Sequence, residues 1–142
     1  MALTTDIADA VVAELASGAF SLPITPVRRV LPEYELADLK DLRVTVVPAA
    51  VEIEGASRTL SQHDVRIDVG IQKKLGKDLD TEVPVLCELV DEIAAFLKRR
   101  PLQATPFAAW VRSVNEPIYA PEHLAEQRVF TSVLTVTYRA MS

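Results

Sequence analysis

The chain is poor in cysteine, glycine and aromatic residues, and each shortage excludes a class of protein. Its 142 residues include one cysteine, four glycines and 6% aromatics. A lone cysteine, Cys87, excludes an internal disulfide framework and makes the cytoplasm the expected compartment. No GxxxxGK[ST], GxGxxG or GxSxG motif occurs, so neither a phosphate-cradling loop nor a nucleophile elbow is encoded. Nucleotide enzymes are therefore disfavoured.

Long apolar runs are also lacking. Every apolar stretch is interrupted before it reaches the roughly 18 residues of a membrane span. Asp6 and Asp9 lie near the N-terminus, where a signal peptide would carry basic and then apolar residues. We therefore expect a soluble protein without membrane contact.

Positive charge is in deficit, with 20 acidic residues against 15 basic ones and a net charge of −5. This balance repels phosphate, so a protein that grips nucleic acid is not expected. The apolar share of 49% suits a globular protein, and a chain of this length buries about two-thirds of its surface. One domain over residues 1–142 is predicted.

Two helices are predicted from apolar residues at helical spacing. The first covers residues 6–17 behind a Thr5 cap. The second covers residues 82–98, with Pro84 in its first turn and with acidic residues before it and basic residues at its end. A polar loop over residues 73–80, centred on Gly76, is expected to precede it.

The remaining apolar segments predict strands, some of them short. The predicted elements are an edge strand at 27–31, a helical turn at 35–39, a strand at 43–47 ended by Pro48, a hairpin arm at 51–54, strands from residue 64 and at 107–114, an irregular link at 115–121 and a strand at 129–139. This order predicts an α+β fold: a two-layer sandwich with a small, mostly antiparallel sheet flanked by two helices.

Two strands have second faces that differ in character. In the strand from residue 64, Asp64, Arg66 and Asp68 lie opposite an apolar face. The last strand has no charge before Arg139, and its second face is rich in threonine. That uncharged face needs a cover, which either a second copy of the chain or a hairpin or loop of the same chain would provide.

No catalytic, cofactor or metal site is predicted. His63 and His123 are sixty positions apart with no second ligand at a suitable spacing, and Cys87 is interpreted as a core thiol among acidic neighbours. The basic cluster of Lys73, Lys74 and Lys77 is interpreted as a solvated loop rather than a polyanion contact.

The succession of segments resembles the bacteriophage tail terminator (tail completion) family over nearly the whole chain. The resemblance is carried by the N-terminal amphipathic helix, residues 27–32 (VRRVLP), 35–48 (ELADLKDLRVTVVP), Ser57-Arg58, 64–74 (DVRIDVGIQKK), the helix at 83–97 and residues 130–138 (FTSVLTVTY). The resemblance lies in the order of the segments and in their residue types, and no catalytic motif contributes to it.

The resemblance implies a virion structural protein that is assembled in the host cytoplasm. Copies of the chain would form a ring, typically a homohexamer, at the head-proximal end of the tail. The ring would end polymerisation of the tail tube protein and join the tail to the head connector or neck proteins. DNA would only pass through the lumen. No cofactor is implied.

Candidate contacts in such a ring come from the charged strand, the basic loop, the C-terminal aromatics and the threonine-rich face. They are Asp64, Arg66, Asp68, Lys73, Lys74, Lys77, Trp110, Thr131, Thr135 and Arg139. Two alternatives remain open. One is a head completion (stopper) protein of the neck, and the other is a small ligand-binding module or accessory enzyme with an apolar pocket.

Overall fold

A computed structural model describes residues 3–30 and 39–142 of the chain. The elements follow in the order α1 (Leu3–Ser17), β1 (Pro26–Arg28), β2 (Arg43–Gly55), β3 (Ser61–Lys74), α2 (Leu79–Leu97), β4 (Ala109–Val114), α3 (Pro121–Gln127) and β5 (Val129–Met141). The helical turn predicted at residues 35–39 falls almost entirely outside the described residues.

The strands form one mixed sheet in the order β1-β2-β3-β5-β4. Only the short β1 runs parallel to its neighbour β2, and the other pairs are antiparallel. The predicted α+β class with a mostly antiparallel sheet is confirmed. The long β3 and β5 strands occupy the middle of the sheet, as expected for strands that can be buried on one face along most of their length.

The core lies between one face of this sheet and the helices α1 and α2. The core side chains of α1 are Ile7, Ala8, Ala10, Val11 and Leu15, and those of α2 are Leu86, Leu89, Val90, Ile93 and Leu97. Period-two alternation places the apolar set of β3 and that of β5 on the same side, where Ile67 is the partner of Val136 and Val65 of Tyr138. Both predicted faces of these two strands are therefore found in the structure.

Helix α2 begins three residues earlier than predicted, so the loop before it is shorter than residues 73–80. Asp78 is the N-cap: its carboxylate accepts hydrogen bonds from the Thr81 backbone N–H (3.3 Å) and hydroxyl (2.7 Å). An Asp at the N-cap satisfies donors that the first turn leaves unpaired. Pro84 therefore lies inside the helix rather than in its first turn. Lys73 and Lys74 belong to β3.

Pro48 does not end the second strand. Strand β2 continues to Gly55, with a bulge between Pro48 and Ala50. Strand β1 ends at Arg28, opposite Val46, so Pro48 lies where β2 is the edge of the sheet. Proline is tolerated at edges and bulges, because no ladder hydrogen bond is lost there. The predicted separate arm is thus the outer part of one long β2–β3 hairpin.

The segment before β5 holds a third helix, α3, which the sequence analysis did not predict. Helix α3 has seven residues, none of them buried, so it offers no apolar stripe to detect. Pro121 is at its start, and Arg128 adopts a left-handed conformation (φ 52°) at its end. A hydrogen bond from Ala120 N–H to the Thr131 carbonyl (2.8 Å) fixes its entry beside β5.

Candidate interaction surface

The face of the sheet opposite the helices carries the polar side chains of four strands. Register places Asp64 beside Arg139, Arg66 beside Thr137 and Asp68 beside Thr135. The charged second face of β3 and the threonine-rich second face of β5 are therefore one continuous surface rather than two separate ones. Strand pairing decides this, because neighbouring strands keep their alternation in phase.

We call the exposed part of this surface the open face. It encloses a cavity of about 350 Å³, and its lining residues are Ala50, Glu52, Asp64, Arg66, Asp68, Arg112, Val114, Thr135 and Thr137. Towards β1 the same side of the sheet is closed, since Thr45 and Val47 are buried. The uncovered part of this side of the sheet is therefore formed by β3, β5, β4 and the outer part of β2.

Two β-bulges decide which charges reach the open face. Strict alternation would place Arg112 on the same side as Trp110, but the register shifts between them, so Trp110 pairs with Tyr138 and Arg112 with Thr137. The bulge between Pro48 and Ala50 likewise turns Glu52 to the open face, opposite Asp64. The place of Arg112 and Glu52 on this face was not predicted from the sequence, because a bulge leaves no mark in a local pattern.

Asp64 and Arg139 form the one ion pair that the described residues place on this face. The guanidinium donates from Nε to Oδ1 (2.8 Å) and from Nη2 to Oδ2 (3.1 Å) of the carboxylate. These hydrogen bonds lower the pKa of Asp64, with a further contribution from the positive charge of Arg112. The same pairing raises the pKa of Arg139. The pair stays charged and holds the outer ends of β3 and β5 together.

The centre of the open face combines a small hydroxyl side chain with long cationic ones. Thr137 is only 3% exposed, because Arg66 and Arg112 flank it on the two neighbouring strands. Next to it, the Thr135 hydroxyl donates to Oδ1 of Asp68 (2.9 Å). Arg66 and Arg112 are themselves exposed. The surface is therefore polar and mixed in charge, which suits a protein partner better than an apolar ligand.

The other predicted contact residues lie away from the centre of this face. Lys73 is on the helix side of β3, Lys74 is at the exposed end of β3, and Lys77 is in the loop before α2. Thr131 lies at the far end of β5, where its hydroxyl is hydrogen-bonded to Nδ1 of His123 (2.9 Å). Trp110 packs against the core from the helix side and donates from its indole to the Ser113 hydroxyl (2.9 Å).

The reactive residue types are held in structural contacts. His63 Nε2 is hydrogen-bonded to the Ser142 hydroxyl (2.8 Å). Cys87 is partly buried against the core, and burial together with the nearby Asp91 raises its pKa, which keeps the thiol protonated. Over residues 3–30 and 39–142, no three His, Cys, Asp or Glu side chains are grouped as metal ligands would be. Within those ranges, no helix is long and apolar enough to cross a membrane.

The outer part of the β2–β3 hairpin is the second prominent surface. Every residue from 51 to 60 is exposed, including Val51, Ile53 and Leu60, and Ile53 is 60% exposed. The register puts Val51 and Ile53 on the side of the sheet that faces the helices, but the helical layer ends before it reaches them. The hairpin therefore projects beyond the core as an arm with an uncovered apolar side.

No protein-family model matches the chain, and no curated protein has a significantly similar sequence.

Proposed function

We propose that the chain is a virion structural protein that assembles into a ring, of about six copies, at the head-proximal end of a phage tail. In this role it ends polymerisation of the tail tube and joins the tail to the neck. The proposal rests on the resemblance of the segment order to tail terminator proteins and on one observation of the fold. The two outer sides of the subunit differ, since one side is the open face and the other is the helix layer.

That difference matters because a ring is closed by contacts between unlike surfaces of identical subunits. A subunit with a single self-complementary patch would instead favour an isologous dimer. The open face and the exposed side of α2 lie on opposite layers of the sandwich, so contact between them on successive copies is head-to-tail, and it closes into a ring when each copy is rotated relative to the last. The projecting arm adds apolar surface of the kind that protein interfaces cover.

The mixed charge of the open face supports the same role. Ionised side chains of both signs lie at this face: Arg66, Arg112 and Arg139 are positive, and Glu52, Glu54, Asp64 and Asp68 are negative. The two signs are nearly balanced. Charges of both signs on an interface fix how the two partners align and disfavour wrong partners. This face does not favour a tight grip on the phosphate backbone, which needs clustered positive charge.

The test is the oligomeric state of the purified chain, alone and with polymerised tail-tube protein of the same genome. Mass photometry and negative-stain images are expected to show a closed ring of about six subunits, seated on tube ends when tubes are present. Tubes grown with the protein present should be capped and should stop elongating. Monomers alone, and again in the presence of tubes, would overturn the proposal.

A further inference from the structure

We propose that Arg66 and Arg112 on the open face bind the carboxylates of Glu88 and Asp91 on helix α2 of a second copy. This proposal rests on the ring-forming function above and assigns its subunit contact. The interface would be polar at its centre, with two arginines of one subunit against two carboxylates of the next.

The arginines are placed as a pair by the sheet. Arg66 on β3 and Arg112 on β4 are both register partners of Thr137 on β5. Since neighbouring strands lie about 4.8 Å apart, their Cα atoms are separated by roughly 10 Å. Unlike Arg139, neither arginine forms an ion pair within residues 3–30 and 39–142. Arg112 acts electrostatically on Asp64, and Arg66 lies between Asp64 and Asp68 on β3, but within the described residues neither guanidinium donates a hydrogen bond to these carboxylates.

The carboxylates are placed as a pair by the helix. Glu88 and Asp91 are three residues apart on α2, so their Cβ atoms are about 5–6 Å from each other on one side of the helix. Both are exposed and point away from the core positions Leu89, Val90 and Ile93. In the described part of the chain, neither side chain has an ion-pair partner. Arginine side chains are long and flexible. Two of them whose Cα atoms are roughly 10 Å apart can therefore both reach two carboxylates whose Cβ atoms are about 5–6 Å apart.

A second copy is the occupant because both halves of the contact are present on this chain with matching charge. The pair on the sheet carries two positive charges and the pair on the helix carries two negative ones. Pro84 continues the exposed side of α2 on one side of the acidic pair, and Ala95 continues it on the other, at the groove that α2 forms with Arg112 and Ser113 of β4. Such short side chains let a helix approach the concave face, whose cavity of about 350 Å³ accommodates the side chains of a helical turn. The contact is heterologous, as a ring requires.

Two charge-reversal variants test this assignment. One carries R66E and R112E, and the other carries E88R and D91R. Each variant alone brings like charges together at every contact, so its ring fraction should fall at least about tenfold below that of the wild type. In an equimolar mixture, the acidic sheet face of the first variant meets the basic helix of the second, and the remaining contacts are wild type. Rings of alternating subunits should therefore form only in the mixture.

The matched control carries E122R and E126R, which reverse two exposed carboxylates on α3 and change the net charge as E88R and D91R do. This control should assemble like the wild type. Thermal melting and circular dichroism of each variant, and of the milder R66A/R112A variant, establish that the monomers fold. R66A/R112A should also lower the ring fraction, by removing the attraction without adding repulsion.

The outcomes separate this inference from the proposed function. A wild-type ring that persists in both reversal variants overturns the arginine contact and leaves the ring function standing. So does loss of assembly in both folded variants without recovery in the mixture. A wild-type chain that stays monomeric even with tail tubes overturns the ring function, and this contact with it.

Discussion

Glu14 is the buried charge with the clearest structural role. Glu14 is 5% exposed, and its carboxylate accepts hydrogen bonds from Arg100 Nε (2.7 Å) and from the Gln103 backbone N–H (2.9 Å). Arg100 also lies over the ring of Phe96, with 4.0 Å from its Cζ to the ring centroid. Glu14 thereby ties helix α1 to the segment that follows α2. No sequence motif marks it, since its partners are far away along the chain.

The substitution Glu14→Gln should lower the free energy of unfolding by about 1–2 kcal/mol, because a neutral amide makes weaker bonds to Arg100. The Arg100 bond, the Gln103 bond and the positive charge of Arg100 together lower the pKa of Glu14 from its ordinary value of 4.5. The stabilisation is therefore complete above that value and is lost as the pH falls through the lower folded pKa. Denaturant unfolding between about pH 3 and pH 7 should show a smaller pH dependence for E14Q than for the wild type.

Glu126→Gln is the control, since Glu126 is exposed on α3. An E14Q protein that keeps the full pH dependence would contradict this role of Glu14.

Tyr138 has a buried hydroxyl without a hydrogen-bond partner within the described residues. Burial, with the negative charge of Glu14 nearby, raises its pKa, so the group is always protonated. A buried hydroxyl without a hydrogen-bond partner lowers the stability of the fold. Removing the hydroxyl removes that penalty, while the aromatic side chain still fills the same space in the core. The substitution Tyr138→Phe should leave the thermal midpoint unchanged or raise it. Thr105→Val should behave alike, because the Thr105 hydroxyl is also buried and has no hydrogen-bond partner among the described residues. A loss of more than about 1 kcal/mol in Y138F would contradict this expectation.

At the scale of the elements, the start of α2 depends on a single cap. The substitution Asp78→Ala removes the acceptor for both donors of Thr81 and should cost about 1 kcal/mol of stability, as N-cap losses do. Asp80→Ala is the matched control, since Asp80 is an exposed acid in the same first turn. Urea unfolding should show a larger loss for D78A than for D80A. Equal losses would mean that only charge at the helix end matters there.

The β2–β3 hairpin should divide into a stable base and a labile arm. Residues 44–47 are buried, whereas residues 51–60 are all exposed and lie on an edge of the sheet. Stretches with few buried apolar contacts open with little free energy. Hydrogen exchange of the monomer, followed by mass spectrometry, should therefore be faster in residues 51–60 than in residues 44–47. Equal protection of both stretches would contradict the division.

At the scale of the whole molecule, the open face should serve assembly rather than folding. Thr135 is half-buried at this face, between Asp68 and Val114 in register. Thr135→Arg should lower the melting temperature by no more than about 5 °C, because the new side chain can reach solvent. It should nevertheless sharply reduce the ring fraction measured by mass photometry.

Ala125→Arg on the exposed side of α3 is the control and should leave both measurements unchanged. A fall in the melting temperature of T135R well beyond about 5 °C would contradict this prediction. The loss of assembly would then follow from unfolding, and Thr135 would belong to the fold of the subunit itself.

The sequence by itself determined the elements whose pattern is periodic. The apolar stripes of α1 and α2 were predicted, and so was the alternation of apolar and polar residues in β3 and β5. An element that is buried on one side has apolar residues at the period of that element, so the sequence shows it. The mostly antiparallel α+β class followed from their order. Helix α3 left no such imprint, since none of its residues is buried.

Only the tertiary structure decided how the polar faces combine. The pairing of β3 with β5 merges a charged face and a threonine-rich face, and two bulges bring Glu52 and Arg112 to the same surface. Strand partners, register and bulges are set by contacts between residues far apart in the chain, so no local pattern encodes them. The chemistry of the open face is for this reason a property of the folded sheet.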